Sequence, residues 1–220
     1  LLGRSAQEYI EKSDLLHRAN EIRDTFKELL RISQGESGRS VENLRGKPSV
    51  RPDLVAIGAS TGGPQTLARL LARLPSDCPP GLVTQHISAK FALAFAERLE
   101  DYHIGVQEPV RGKLVLKVSD EAPLNRHRPS VDYLYKSIAQ THASAMGILL
   151  TGMGRDGAIG LKGLHSRGDF CIAQSQQDCI VYGMPREAVN LGAAHFVGSS
   201  EEIRTLMLEA FTLASKSTAG

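Results

Sequence analysis

The chain has 220 residues, of which 41% are hydrophobic and 23% charged, with 26 Lys and Arg against 24 Asp and Glu. This fits one globular α/β domain with an appendage and excludes a disordered or fibrous chain. Ten basic and eight acidic residues lie in the stretch through Arg51 and sixteen of each beyond it, so the main body is charge-neutral and unsuited to gripping nucleic acid or an anionic membrane.

The chain opens at Leu1, without Met, which fits a piece or processed form of a longer protein, and shows no secretory pattern. Ser5 and Glu8 form a capping-box start, and Ile10, Leu15, Ile22, Phe26, Leu29 and Leu30 recur at helical period. Residues 1–32 are therefore read as an amphipathic linker or docking helix. Residues 33–51, rich in Gly, Ser and charge, read as a flexible linker. A single domain is expected over 52–215.

Within that domain, short apolar runs alternate with helical stretches. Leu54–Ala59 reads as a buried strand, Pro64–Leu74 as a helix, Leu82–Gln85 as a strand and Phe91–Leu99 as a helix. Lys113–Val118 alternates and suits an antiparallel hairpin strand. Then come helix Val131–His142, strand Met146–Thr151, helix Ala158–His165 and strand Phe170–Gln174. A short strand Ile180–Tyr182, helix Arg186–Leu191, a strand near His195–Val197 and a helix from Glu201 complete the series. The pattern predicts an α/β domain: a mostly parallel sheet, helices on both faces and a small antiparallel hairpin. Active sites of such sheets lie at the carboxyl ends of the strands.

Three reactive residues follow predicted strands. Gly58-Ala59-Ser60-Thr61-Gly62 is a G-x-S-x-G turn between strand and helix, where small neighbours leave Ser60 exposed and a helix N-terminus offers free N–H groups. The motif alone fits a nucleophile and a Gly-rich turn with Ser as N-cap equally well. No G-K-[ST] follows, which removes a P-loop, and no acidic residue ends the second strand, which weakens a dinucleotide site. His86 ends that second strand, next to Ser60 across the sheet edge, where imidazole suits a general base. Asp156, in Thr151-Gly152-Met153-Gly154-Arg155-Asp156-Gly157, is the carboxylate to orient the ring; its bland role is to cap the helix from Ala158. Gly152 and Gly154 would expose backbone N–H groups nearby. The order Ser, His, Asp differs from the Ser, Asp, His of α/β-hydrolases.

Cys78, Cys171 and Cys179 contain no C-x-x-C pair, and seven scattered His suggest no metal cluster. A reducing, cytoplasmic setting is expected, without metal or organic cofactor. No apolar run is long enough to span a bilayer.

The segments Ala56–Pro64, Thr84–His86, Asn125–Asp132, Leu150–Ala158 and Tyr182–Ala188 together resemble the catalytic domain of the chemotaxis protein-glutamate methylesterases, the CheB family. The resemblance runs from Leu54 to about Val197 and implies a Rossmann-like, doubly wound α/β domain. It implies hydrolysis of glutamate γ-methyl esters on the cytoplasmic helices of chemoreceptors, and in many members deamidation of glutamines. It also implies Ser60, His86 and Asp156 as nucleophile, base and orienting acid, the Met153 amide as oxyanion donor and Thr61 beside the nucleophile. The implied partners are a methylated receptor and an N-terminal phosphoacceptor receiver domain. Arg126 and Arg128 would contact an acidic receptor surface; their bland reading is loop charges paired with Asp132 or solvent. The chain departs from the family where Val110 runs directly into Arg111, skipping an expected strand and hairpin, and at Ser88, where Pro is common. The rival readings are another Ser-His-Asp hydrolase, a non-catalytic receptor- or kinase-binding module, and a nucleotide-binding protein.

Overall fold

The computed structural model describes residues 44–86 and 103–215, all within one compact unit, 41–220. The helices expected over 1–32 and Phe91–Leu99, the first part of the linker, and Ser88 lie outside the described residues.

Five parallel strands form the main sheet in the order β2-β1-β5-β6-β7. They are β1 (Leu54–Ala59), β2 (Gly81–Gln85), β5 (Ala145–Leu149), β6 (Phe170–Gln174) and β7 (Phe196–Gly198). A separate antiparallel pair joins β3 (His103–Val110) to β4 (Lys113–Ser119). Five α-helices are described: α1 (Gly63–Leu71), α2 (Val131–Ala139), α3 (Ala158–Arg167), α4 (Met184–Asn190) and α5 (Ser200–Phe211).

The interior strand β1 is buried along its whole length, as a strand covered on both faces must be. Its alternate side chains enter two cores. Leu54 and Ala56 pack with Leu134 and Ile138 of α2 and Leu161 and Leu164 of α3. Val55, Ile57 and Ala59 pack with Leu70 of α1 and Ile203, Leu206 and Phe211 of α5 on the other face. The fold is thus the doubly wound one expected, with helices on both faces. Chain direction across the sheet reverses between β1 and β5, so the switch-point crevice opens beside the end of β1.

Several local readings change. The chain from His103 to Val110, not expected as a strand, pairs with β4. The Arg111-Gly112 turn closes that hairpin, with Gly112 at φ 80. Ile180–Tyr182 is not a strand: Tyr182 makes only an isolated bridge to Gly152, and the Val181 N–H donates to the Thr151 hydroxyl at 2.9 Å. The helix expected to Leu74 ends at Leu71, and Arg73 adopts φ 52.

Residues 44–51, inside the stretch expected to be a flexible linker, are tied to the domain. The Val197 N–H donates to the Leu44 carbonyl at 3.0 Å and the Gly46 N–H to the His195 carbonyl at 2.9 Å. The Arg51 guanidinium donates to the Phe211 carbonyl at 2.7 Å and to that of Asp77. No described helix is long and apolar enough to cross a membrane.

Candidate functional site

Ser60 follows β1 and His86 follows β2. The register pairs Ala59 with Gln85, so the two residues are neighbours at one sheet edge. The His86 N–H donates to the Ala59 carbonyl at 2.9 Å. The Gln85 amide Nε2 then bridges the edge, donating to the carbonyls of Ser60 at 2.8 Å and His86 at 2.7 Å. The Ser60 N–H donates to the Thr151 carbonyl at 3.0 Å, which fixes the serine to the end of the β5 segment.

Ser60 does not cap the following helix. Gly62 is the N-cap of α1, at φ 84, with no side-chain cap bond. The small residues of the turn serve packing. A Cβ at Gly58 would collide with Val131 of α2, one at Gly62 with Ile180, and one at Gly63 with the Gln85 amide. The glycines therefore admit neighbours against the turn, where the sequence suggests they merely uncover the serine.

The His86 side chain is 9% exposed, and its Nε2 donates to Asp156 Oδ2 at 2.9 Å. That bond leaves Nδ1 with the lone pair. Nδ1 is buried and without a hydrogen-bond partner. His127 stacks on the His86 ring, with centroids 3.8 Å apart and planes 8° apart. Burial, reinforced by His86, lowers the His127 pKa, with Asp156 opposing.

Asp156 is buried and collects donors. Besides His86, its carboxylate accepts from Ser130 Oγ at 2.8 Å, Asn125 Nδ2 at 2.8 Å and the Val131 N–H at 2.7 Å. Burial alone would raise its pKa. The bonds from His86, Asn125, Val131 and Ser130 outweigh burial and hold it below the usual carboxylate range. Asp156 does not cap the helix that follows it: Gly157, at φ 88, is the N-cap of α3 without a side-chain bond. It sits instead at the N-terminus of α2, whose N-cap is Ser130.

The loop after β5 lies against the serine. A Cβ on Gly152 would stand 2.7 Å from Ser60 Cβ. The Gly152 N–H is not exposed as expected; it donates to the Val181 carbonyl at 3.0 Å. Met153 and Ile180 are exposed around the site, and Thr61 is exposed with its carbonyl accepting from Thr151 Oγ1 at 2.9 Å.

Arg128 donates to the carbonyls of Asp120 at 3.2 Å and Glu121 at 3.3 Å, while Arg126 is exposed at φ 67. Neither pairs with Asp132, which is fully buried and bonded to Asn125 and the Gly160 N–H. Sequence reasoning quoted Asn125, His127 and Ser130 within a motif without giving them a task, and passed over Gln85. Among the described residues, no three or more His, Cys, Asp or Glu gather as metal ligands.

These features define a doubly wound α/β domain with a serine, a histidine and a buried aspartate at the carboxyl edge of its sheet. The family pattern for CheB methylesterase matches residues 55–117 and 100–207, two stretches that overlap across the β3–β4 hairpin. The chain belongs to the CheB methylesterase family. It is 42% identical over 177 residues to a protein-glutamate methylesterase/protein-glutamine glutaminase of Paraburkholderia xenovorans, covering 68% of this chain and 49% of that protein. To the protein of the same description from Salmonella typhi it is 40% identical over 182 residues, covering 70% and 52%. The chain therefore spans about half the length of the curated relatives it matches. The crystal structure of the Thermotoga maritima CheB methylesterase catalytic domain is similar, with a TM-score of 0.65 and 28% identity, covering 73% of this chain and 99% of that one.

Proposed function

We propose that this chain is the catalytic portion of a protein-glutamate methylesterase/glutaminase that acts on chemoreceptors. Membership of the family and about 40% identity to relatives bearing that name support the reading. The observation that carries the chemistry is the 2.9 Å bond between His86 Nε2 and Asp156 Oδ2, on a ring that neighbours Ser60 at the sheet edge.

In this reading Ser60 Oγ attacks the γ-ester carbonyl while His86 Nδ1 takes its proton. Asp156 holds the ring and stabilises the imidazolium. The tetrahedral intermediate collapses, His86 returns the proton to the methoxide, and methanol leaves. Water, deprotonated by His86, then releases the glutamate carboxylate and restores Ser60. With a glutamine side chain the leaving group is ammonia. The Met153 backbone amide and Thr61 face the developing oxyanion, and the reaction draws only on water and these groups.

The partner is the cytoplasmic helical region of a methylated receptor, which places the protein in the cytoplasm. Arg126, exposed beside the site, and Arg128 contact its acidic surface. The remaining half of the relatives' length corresponds to a phosphoacceptor receiver domain, joined through the segment that precedes residue 44. Methanol release from methylated receptor membranes tests the reading. The parent releases methanol and Ser60→Ala does not; equal release from both refutes it.

A further inference from the structure

Two buried carboxylates face one another behind the histidine. Asp156 precedes α3, yet it accepts from the N–H groups of Val131 at 2.7 Å and Asp132 at 3.3 Å, in the first turn of α2. Asp132, within that turn, accepts from the Gly160 N–H at 2.6 Å, in the first turn of α3. Each helix N-terminus is thus capped by a carboxylate carried beside the other, where the positive ends of the helix dipoles favour negative charge. Asp132 is 0% and Asp156 1% exposed, so solvent does little to screen their repulsion.

One side chain stands between them. Asn125 Nδ2 donates to Asp132 Oδ2 at 2.6 Å and to Asp156 Oδ1 at 2.8 Å. Both N–H bonds of the amide are spent on this bridge. The other Asp156 oxygen, Oδ2, holds His86. Asn125 reaches the place from a turn in which it adopts φ 54, a left-handed conformation that Asn tolerates. Burial raises the Asp132 pKa, and Asp156 adds to the rise, as expected of like charges confined together.

We propose that Asn125 is a positioning residue: its amide bridges Asp132 and Asp156 and so keeps Asp156 aimed at His86. The inference rests on the reading of Asp156 as the orienting acid. Asp132 supplies the counter-thrust. Without the amide, the two carboxylates repel, Asp156 turns from the imidazole, and the ring loses its fixed orientation. A displaced catalytic group costs turnover rather than substrate binding, on the order of 10²-fold for about 1 Å.

The test compares Asn125→Gly, Asp132→Asn and the double variant with the parent. Glycine removes the amide while accepting the backbone conformation. Asn125→Gly is expected to lower kcat by about 10²-fold with KM unchanged. Asp132→Asn alone also lowers kcat, because two amide donors then face each other. The double variant recovers at least tenfold over Asn125→Gly: the new amide keeps the Gly160 N–H through its oxygen and donates to Asp156 through its nitrogen. A proton NMR signal from His86 Nε2–H, deshielded by its bond to Asp156, follows the same order. It is present in the parent, lost in Asn125→Gly and regained in the double variant.

A double variant no better than Asn125→Gly, or an unaltered His86 signal in Asn125→Gly, overturns the proposal. So does failure of both Asn125→Gly and the double variant to fold, which would leave Asn125 a turn residue; folding lost in Asn125→Gly and regained in the double variant supports it. If the parent releases no methanol, the functional reading falls, and the His86 signal decides this inference separately.

Discussion

His127 lies flat on His86, the two rings 3.8 Å apart at their centroids and 8° from parallel. One face of the proposed base is therefore held by packing, while Asp156 fixes its edge through Nε2. Burial, chiefly, lowers the His127 pKa and favours its neutral form, so the stack presents a π face to the imidazolium that forms on His86.

Replacing the stacked ring should therefore tell packing from proton chemistry. His127→Phe keeps a flat ring and should retain most activity. His127→Ala should lose up to about tenfold in kcat/KM, the kinetic equivalent of a stacking contact. Equal losses in both variants would point to a role for the His127 nitrogens instead.

Gly152 separates the serine from the following loop with no room to spare. A methyl group there would meet Ser60 Cβ at 2.7 Å and also press on Met184 Sδ. Gly152→Ala is expected to destabilise the domain by about 1–3 kcal/mol, as overpacking does. Because the displaced atom carries the proposed nucleophile, kcat should fall further than the melting temperature alone explains. Denaturant titration and turnover on the same preparation check this, and an unchanged kcat would contradict it.

Asp156 links the site to acid stability. Its folded-state pKa is held below the ordinary Asp range, so its ionised form contributes stability that is complete above the unfolded-state pKa, about 3.9. That contribution is lost as the pH falls through the ordinary range toward the depressed folded value. The parent should therefore lose more stability than Asp156→Asn between about pH 5 and pH 2. Urea midpoints across that range provide the measurement; parallel curves would show that Asp156 is not specially held.

Much of this arrangement was legible in the sequence because a parallel sheet gathers its strand ends. Ser60, His86 and Asp156 each follow an apolar run, and the order of runs sets the edge they share. The polar bonds around them were not legible. Asn125, Ser130 and His127 reach the site only because α2 packs its Val131 against Gly58 and Gly157, a contact between distant segments that no local pattern announces. The capping signal at Asp156 misled for the same reason: a carboxylate before a helix reads as that helix's cap, yet here it serves the neighbouring one. Strand β3 was hidden by Glu108, which interrupts the alternation of Ile104, Val106 and Val110, and by Gly105 and Pro109, which strands disfavour. The apolar run Ile180-Val181-Tyr182 imitated a strand, but its amide bonds go to Thr151 Oγ1 and not to a ladder.

In the proposed mechanism Ser60 is a nucleophile activated by His86. Labelling with a fluorophosphonate, which displaces fluoride onto an activated serine, tests it most directly when read by peptide mass spectrometry. One adduct is expected, on the peptide containing Ser60, absent in Ser60→Ala and much slower to form in His86→Ala. An adduct on another residue, or turnover retained by Ser60→Ala, would contradict it.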